Sequence, residues 1–307
     1  MARDWLAGRG SEMTVTEMIA LEAGSFAMGS EKFYADEGPV HFATVSAFEI
    51  DIHPVTNAQF AEFVDATGYV TVAERTIDPR DFPGMDPADA VPGALVFRRT
   101  DGPVDLANWR QWWAWVPGAS WRHPYGPDST NDPAHPVVQV SFDDAQAYAA
   151  WVDRRLPTEA EWEFAARAGL DGATYAWGEE LHPEGRLMAN TWQGSFPWRN
   201  TGALGWAGTS PVGSFPPNGF GLFDMIGNVW EWTTDAYFPE HRTMEGTSCS
   251  CGPGTSERQA DSDRLVLKGG SHLCAPEYCL RYRPAARSPQ SIDTATTHIG
   301  FRCVRSL

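Results

Sequence analysis

Tryptophan is the residue that most constrains this fold. The chain carries 14 tryptophans together with 29 glycines and 23 prolines in 307 residues. Each indole ring buries a large apolar area, whereas glycine and proline interrupt helices and strands and favour turns. We therefore predict a compact, loop-rich fold whose core is built from large rings rather than from long aliphatic helices.

Length and composition predict one globular domain. A chain of 307 residues with 42% hydrophobic residues can bury a sizeable core. No linker or internal repeat divides it, so we expect a flexible N-terminal segment, residues 1–17, followed by a single domain over residues 18–307. The start, MARDWLAGRGSEM, lacks the apolar core of a signal peptide, and no run of about 18 apolar residues is present. These features predict a cytoplasmic protein with no membrane span.

The formal net charge of −17 argues against a nucleic-acid partner, because phosphate binding requires a basic face. The simplest interpretation of this charge is solubility.

Capping residues predict three helices. A Thr or Ser precedes each apolar helical pattern, and an acidic residue stands at the capping-box position of the last two. The predicted helices run from Thr56 to Gly68, from Ser141 through Val152, and from Thr158 to Gly169.

The rest of the chain is predicted to form short strands and turns. The opening MIALEAGSFAMGS is typical of two short strands with a turn between them. Alternating apolar residues predict one half-buried strand from Val40 to Ile52. Residues 76–105 are polar, proline-rich and without periodicity, which indicates a long surface excursion. Short strands and turns are predicted from Gly172 onward.

Two cysteines in the segment KGGSHLCAPEYCLRYRPAAR are the leading candidates for chemistry. Cys274 and Cys279 stand five positions apart, a spacing that places them about 140° apart on a helix and on opposite faces of a strand. Their sulfurs can meet only if residues 275–278 form a turn, which Pro276 favours. Three interpretations remain open: a soft-metal site, a redox disulfide, or two unrelated buried thiols.

The neighbours of this pair favour a functional site. Gly269 and Gly270 permit close backbone approach, and Ser271 and His272 add polar groups. Three arginines follow and could hold anions or lower a thiol pKa; they are Arg281, Arg283 and Arg287.

Three further cysteines complete an odd total of five. Without a secretion signal, a reducing cytosol is the simplest compartment, and free thiols there are often catalytic or metal-binding. Cys249 and Cys251 stand in a Gly/Ser/Pro-rich loop and are expected to be incidental or to pair with another chain.

Several phrases together resemble one family, the formylglycine-generating enzymes. The widespread ones are RLPTEAEWE, GNVWEW and GFRC, and the specific ones are SWRHPYGPDS and the cysteine pair in GGSHLCAPEYC. The likeness covers roughly residues 18–307. It implies an α+β, C-type-lectin-like fold with little regular secondary structure.

The resemblance also implies an activity. Members of this family oxidise the cysteine of a Cys-x-Pro-x-Arg motif in unfolded sulfatases to Cα-formylglycine, with Cu(I) and molecular oxygen. Cys274 and Cys279 would bind the copper, because a soft d¹⁰ ion selects thiolates. Ser271 and Tyr278 match the oxygen-side pocket, and Trp230 matches its aromatic wall, although core packing explains an indole equally well. The expected partners are unfolded sulfatase polypeptides or motif peptides, and we expect a monomer.

Calcium sites are implied by the same resemblance. One would be formed by side chains or carbonyls of Asp224, Gly227, Val229 and Glu231, which are hard oxygen ligands on a tight loop. A second, at Asn190 and Thr191, is weakened because Leu204 stands where the family usually has an aspartate.

One departure from the family concerns Cys303. Pro284 replaces a cysteine that some secreted relatives pair with the equivalent of Cys303, which leaves Cys303 single.

Rival functions are kept as alternatives. The fold also hosts non-catalytic lectin-like binding or scaffolding proteins, and function is carried by the site rather than by the fold. A thiol–disulfide oxidoreductase is disfavoured because no CxxC motif is present. The eight histidines show no cluster like that of iron-dependent sulfoxide synthases, and His272 is a candidate substrate contact or a structural histidine.

Overall fold

A computed structural model describes residues 14–81, Asp86, 90–241 and 264–307. The predicted flexible segment, residues 1–17, falls mostly outside this description, as do Cys249 and Cys251. Thr16 is buried, and its hydroxyl donates a hydrogen bond to Gln59 Oε1 at 3.1 Å. The single-domain division stays a prediction.

The three predicted helices are confirmed, and they are the α-helices of the described residues: α1 (Asn57–Thr67), α2 (Phe142–Trp151) and α3 (Glu159–Arg167). Each begins with a capping box, in which the Thr or Ser side chain and the third helical residue satisfy each other's backbone N–H groups. Helix α1 ends at Gly68, whose φ of 68° is the left-handed conformation expected there. Helix α3 ends one residue earlier than predicted: its C-cap is Ala168, with a φ of 47°, and Gly169 follows with a φ of 83°.

Eleven strands form small sheets around the helices in the described residues: β1 (Met18–Leu21), β2 (Gly24–Met28), β3 (His41–Val45), β4 (Phe48–Asp51), β5 (Gly93–Phe97), β6 (Trp113–Pro117), β7 (Trp230–Ala236), β8 (Arg264–Lys268), β9 (Arg287–Ser291), β10 (Ile299–Gly300) and β11 (Val304–Ser306). The strand orders are β1-β4-β11 and β10-β7-β8-β9, with two-stranded ribbons β2-β3 and β5-β6. Among the strands that the structure describes, β10 and β7 are the one pair that runs in parallel.

Two strand predictions are wrong. The segment 40–52 is not one strand: β3 pairs with β2, whereas β4 lies between β1 and β11. Phe42 is accordingly 83% exposed while Phe48 is fully buried, since the two belong to different sheets. The predicted surface excursion 76–105 contains β5, in which Ala94 and Val96 are buried against their own small cluster.

Aromatic rings fill the core, as predicted. The largest fully buried side chains include Trp112, Trp121, Trp162 and Trp232. Phe60 contacts four other rings at centroid distances of 5.1–6.4 Å. Such side chains bury more apolar area per residue than aliphatic ones, which is how a fold with short elements reaches a stable core. No helix in the described part of the chain is long and apolar enough to cross a membrane.

Candidate active site

The two candidate cysteines lie on one loop, residues 269–286, which connects β8 to β9 and is called the cysteine loop below. The Tyr278 and Cys279 N–H groups both donate to the Ala275 carbonyl, at 3.1 and 2.7 Å. This confirms the predicted turn. It places Cys274 Sγ 2.9 Å from Cys279 Sγ.

Two glycines begin the loop because no side chain fits there. Gly269 and Gly270 have φ values of +92° and +72°. A Cβ on Gly269 would lie 2.8 Å from the Met225 carbonyl oxygen, and one on Gly270 would lie 2.9 Å from that of Arg281. The close backbone approach inferred from these glycines is therefore confirmed.

Buried ion pairs fix both ends of the loop to helix α3. Lys268 and Arg287 are paired in register across β8 and β9. Lys268 Nζ donates to Glu163 Oε2, and Arg287 Nη2 donates to Glu159 Oε2, both at 2.9 Å. All four side chains are buried. In a buried environment the stabilisation from a charge-assisted hydrogen bond depends strongly on its geometry.

Two further ion pairs hold the middle of the loop. Arg281 Nη1 donates to Asp36 Oδ2 at 2.9 Å, and Arg283 Nη1 donates to Glu37 Oε2 at 2.7 Å. Both acidic partners belong to the segment between β2 and β3. The arginines of the sequence motif thus anchor the loop as well as surround the thiols.

The cysteine loop borders a cavity of about 320 Å³. All five residues predicted to be catalytic line it: Trp230, Ser271, Cys274, Tyr278 and Cys279. The other lining residues are Tyr34, Trp112, Trp113, Phe196, Leu273, Arg281, Ser288 and His298. The structure therefore brings together residues that stand more than 260 positions apart in the chain.

The pKa values of the two thiols are shifted in opposite directions. Burial raises the pKa of Cys274, and the adjacent Cys279 sulfur raises it further. The pKa of Cys279 is lowered by the Cys274 thiol that donates to it and by the Arg281 guanidinium, although burial opposes this shift. Of the two coupled thiols, Cys279 is therefore the one that ionises first.

Tyr278 is held by rings on two sides. It stacks on Phe196 with a centroid distance of 4.5 Å and an interplanar angle of 3°, and it meets Trp112 edge-on at 5.3 Å. Burial and the two neighbouring sulfurs raise its pKa to about 12. Its phenol consequently stays protonated near neutral pH and is available as a hydrogen-bond donor at the cavity.

Comparison with known proteins identifies the family of this chain. Residues 6–307 match the model of the sulfatase-modifying factor enzyme 1-like domain. The chain belongs to the sulfatase-modifying factor family. It is 66% identical to the formylglycine-generating enzyme of Mycobacterium tuberculosis, covering 94% of this chain and 98% of the relative. It is 48% identical to that of Thermomonospora curvata, covering 93% and 92%.

The same comparison supports the fold class of this family member. The solved structure of PvdO from Pseudomonas aeruginosa superimposes with a TM-score of 0.63 at 27% identity, covering 95% of each chain. The α+β, C-type-lectin-like fold with little regular structure is thereby confirmed.

His298 is a cavity residue that sequence reasoning missed. Its Nδ1 lies 2.7 Å from Thr296 Oγ1, and its ring packs on Trp113 at 4.9 Å. Burial lowers the pKa of this imidazole to about 3, so it is neutral at physiological pH. The only signal in the sequence was its place two residues before the family phrase GFRC.

His272, the histidine singled out as a candidate substrate contact, has a structural role. It is buried outside the cavity lining, and its Nδ1 lies 2.8 Å from the Asn228 carbonyl oxygen. Burial lowers its pKa to about 4.

At the first predicted calcium site, one carboxylate oxygen has no hydrogen-bond partner among the described residues. Asp224 is buried, and its Oδ2 accepts the Gly213 N–H at 2.7 Å. Its Oδ1 has no hydrogen-bond partner among the described residues. Glu231, by contrast, accepts from Arg302 Nε and Nη2 at 2.7 and 2.9 Å and from Trp162 Nε1 at 2.7 Å. A cation here would have to share that carboxylate with Arg302.

At the second predicted calcium site, Asn190 has one side-chain atom with a hydrogen-bond partner and one without, within the described residues. Asn190 donates through Nδ2 to the Gly208 carbonyl at 3.0 Å, while its buried Oδ1 finds no partner in the described part of the chain. Leu204 is 61% exposed, and its side chain has no ligating atom. Cys303 is fully buried and forms no disulfide with a described residue.

Arg281 provides a direct test of the thiol electrostatics. In reduced, metal-free protein, Arg281→Gln should raise the pKa of Cys279 and slow its alkylation by iodoacetamide at pH 7 by about three- to tenfold, because the stabilising charge is lost. Arg281→Lys should restore part of the rate. The measurement is the alkylation rate of Cys279 between pH 6 and 10, followed by peptide mapping. Arg122→Gln, at an exposed arginine paired with Asp65, is the control, and an unchanged profile in Arg281→Gln would contradict this role.

Proposed function

We propose that this protein is a copper-dependent oxidase that converts the cysteine of Cys-x-Pro-x-Arg motifs in unfolded sulfatases to Cα-formylglycine. The observation that carries the proposal is the pair of sulfurs 2.9 Å apart at the wall of a cavity also lined by Trp230, Ser271 and Tyr278. The high identity to two formylglycine-generating enzymes supports it.

The donor set fits Cu(I). Among the described residues, no third His, Cys, Asp or Glu side chain joins the two thiols in one group. Two thiols suit a soft ion of low coordination number better than Zn²⁺, which prefers four ligands. Within the described residues no three such side chains converge elsewhere. Cys274 and Cys279 would hold the ion, and bound Cu(I) would supply the chemistry that activates oxygen and accepts the substrate thiolate.

The remaining residues prepare the cavity. The Cys274 thiol and Arg281 lower the pKa of Cys279, and the Ser271 N–H donates to Cys274 Sγ at 3.4 Å, which orients the second thiol. Tyr278 presents a phenol that stays protonated. Trp112, Phe196 and Trp230 form apolar walls that limit water at the reacting centre.

The substrate is an extended peptide. A target cysteine inside a folded sulfatase would be inaccessible, whereas an unfolded segment can place its side chains in a surface cavity. The chain's net charge of −17 favours approach of the motif's arginine. We place this activity in the cytoplasm, where thiols remain reduced, and expect the monomer to be sufficient.

A peptide assay tests the proposal. The conversion consumes the cysteine side chain, O₂, two electrons and two protons, and it yields the aldehyde, H₂S and water. A thiol reductant supplies the electrons. With Cu(I), the peptide should lose about 18 Da by mass spectrometry. Changing the motif's Pro or Arg to Ala should reduce turnover sharply, and equal turnover of scrambled cysteine peptides would indicate a general thiol oxidase instead.

A non-catalytic binding or scaffolding protein is the alternative, because the fold hosts such members. It predicts that motif peptides bind without any change in mass. The paired sulfurs at the cavity favour the enzyme, since a scaffold has no need for two coupled thiols.

We also propose calcium binding at Asp224, with Gly227, Val229 and Glu231, and a weaker site at Asn190 and Thr191. The unpartnered Oδ1 atoms of Asp224 and Asn190 support it, because buried polar atoms without partners are costly.

Chelation should therefore lower the thermal unfolding midpoint by about 5–10 °C, since an ion that binds only the native state stabilises it. Asp224→Ala should remove most of that difference and Asn190→Ala less, because Leu204 leaves the second site short of a ligand. Asp65→Ala, at an exposed carboxylate, should leave the chelator effect intact. Identical midpoints with and without chelator would refute calcium binding.

A further inference from the structure

Tyr34 reaches the candidate active site from a part of the chain far from the cysteines. It belongs to the segment between β2 and β3 and is half-buried. Its carbonyl accepts the Glu37 N–H at 3.1 Å, which closes one turn of 3₁₀ helix over Ala35–Glu37 and fixes the backbone of Tyr34. The Tyr34 side chain lines the cavity that Cys274 and Cys279 also border. The proposed oxidation assigns no role to this tyrosine.

The hydroxyl of Tyr34 holds the backbone beside Cys279. Its oxygen accepts the Leu280 N–H at 3.0 Å, and that N–H belongs to the peptide unit that follows Cys279. The peptide unit before Cys279 is fixed as well, because the Cys279 N–H donates to the Ala275 carbonyl at 2.7 Å. Since peptide units are planar, fixing both of them also fixes the direction in which the Cys279 side chain leaves the backbone.

The ring of Tyr34 holds the next residue of the loop. Arg281 lies over this ring at 4.1 Å from its centroid, and its Nη1 donates to Asp36 Oδ2 at 2.9 Å. Both partners of Arg281 therefore come from the same short turn, one through a cation–π contact and the other through a charge-assisted hydrogen bond. The two residues that follow Cys279 are thus docked on the Tyr34 turn.

Cys274 is held by different partners. Its N–H donates to the Ser271 carbonyl at 2.9 Å, and its carbonyl accepts the Trp192 N–H at 3.1 Å. The sulfur separation of 2.9 Å consequently depends on where Cys279 is placed relative to a fixed Cys274. A disulfide and a two-coordinate soft ion both require the two sulfurs to be close, so either equilibrium reports on this placement.

We infer that Tyr34 is a positioning residue for the thiol pair: its hydroxyl and ring hold the backbone after Cys279 and thereby keep Cys279 Sγ next to Cys274 Sγ. The relevance of this residue to copper rests on the proposed function, whereas the placement of the two thiols is a property of the metal-free protein. A tyrosine that only stabilised the fold would change the free energy of unfolding and leave the chemistry of the thiol pair unaltered.

The equilibrium between the thiol pair and glutathione tests this placement without copper. Formation of the Cys274–Cys279 disulfide transfers two electrons and two protons to one molecule of oxidised glutathione, which becomes two molecules of reduced glutathione. In copper-free protein, Tyr34→Phe should lower the equilibrium constant for this disulfide about three- to tenfold, as expected for loss of one hydrogen bond. Tyr34→Leu, which also removes the ring under Arg281, should lower it further. Acid quenching, alkylation and peptide mapping give the fraction of this pair that is linked.

Tyr69→Phe is the matched control. The Tyr69 hydroxyl also makes two hydrogen bonds, to Asp144 Oδ1 at 3.0 Å and from Arg75 Nη2 at 2.9 Å, and it lies outside the lining of the active-site cavity. Its loss should leave the glutathione constant within twofold of wild type, and urea unfolding verifies that each variant is folded. A constant within twofold of wild type in Tyr34→Phe, or an equal decrease in Tyr69→Phe, would overturn the positioning role.

A copper arm separates this outcome from failure of the proposed function. Competition with the Cu(I) chelator bathocuproine disulfonate should show a Cu(I) affinity about three- to tenfold weaker in Tyr34→Phe than in wild type. If wild type binds no Cu(I) and converts no motif peptide while the glutathione constant still falls in Tyr34→Phe, the oxidase activity fails and the positioning role stands. If wild type binds Cu(I) and converts the peptide but Tyr34→Phe matches it in both constants, only the positioning role fails.

Discussion

Cys279→Ser is expected to abolish conversion of a Cys-x-Pro-x-Arg peptide, with a loss on the order of 10³-fold or more. Cys279 is the sulfur whose pKa is lowered, by the Cys274 thiol and by Arg281, and it faces the cavity. A serine hydroxyl does not ionise near neutral pH and is not a soft ligand. The measurement is turnover by mass spectrometry together with Cu(I) stoichiometry. Cys274→Ser should have the same effect on both.

Cys303→Ala is the matched control for that experiment. Cys303 is also buried, yet it lies in the core beside Asp51 and outside the lining of the active-site cavity. Its replacement should leave copper stoichiometry at one and cost only some stability through a small cavity. Retention of one Cu(I) and full turnover in the Cys274→Ser, Cys279→Ser double variant would exclude the thiol pair as the reactive centre.

Glu163→Gln is expected to lower the free energy of unfolding by about 3–5 kcal/mol, which is typical of breaking a buried ion pair. Glu163 is fully buried and accepts from Lys268 Nζ at 2.9 Å and from Arg167 Nη2 at 2.7 Å. The glutamine keeps the shape of the side chain but leaves the buried Arg167 without this carboxylate, while Lys268 retains only the longer contact with Glu159 Oε1, at 3.6 Å. Because Lys268 directly precedes the cysteine loop, the same change should also loosen the site.

The pH dependence of this effect has a definite sign. Burial opposes ionisation of Glu163, but Lys268 and Arg167 outweigh burial and lower its pKa to about 2. A glutamate pKa in the unfolded chain is about 4.3. The carboxylate therefore stabilises the fold fully above about pH 5, and the contribution is lost as the pH falls towards 2.

Urea unfolding of wild type and Glu163→Gln between pH 3 and 7 measures this contribution. The difference in the free energy of unfolding between wild type and Glu163→Gln should be constant near neutral pH and should shrink below about pH 4. Asp78→Asn, at an exposed pair with Arg80, should show a much smaller pH-dependent difference, because solvent screens that pair. A difference that grows on acidification would contradict the assignment of the stabilising charge to Glu163.

Local patterns determined the helices and the turn between the two cysteines. A capping residue and its partner are three positions apart, and the five-position spacing of Cys274 and Cys279 admits only a turn if the sulfurs are to meet. Such constraints act over a few residues and can be read from the sequence alone. The resemblance to one family added the fold class and the candidate residues.

Tertiary contacts decided the strand partners and the remainder of the site. The segment 40–52 divides between two sheets because β3 pairs with β2 and β4 pairs with β11. The alternation of apolar residues does not specify the partner of a strand. Tyr34 and His298 enter the cavity from opposite ends of the chain. A side chain at a cavity wall has no periodic signal, since its position depends on packing between segments more than 200 residues apart.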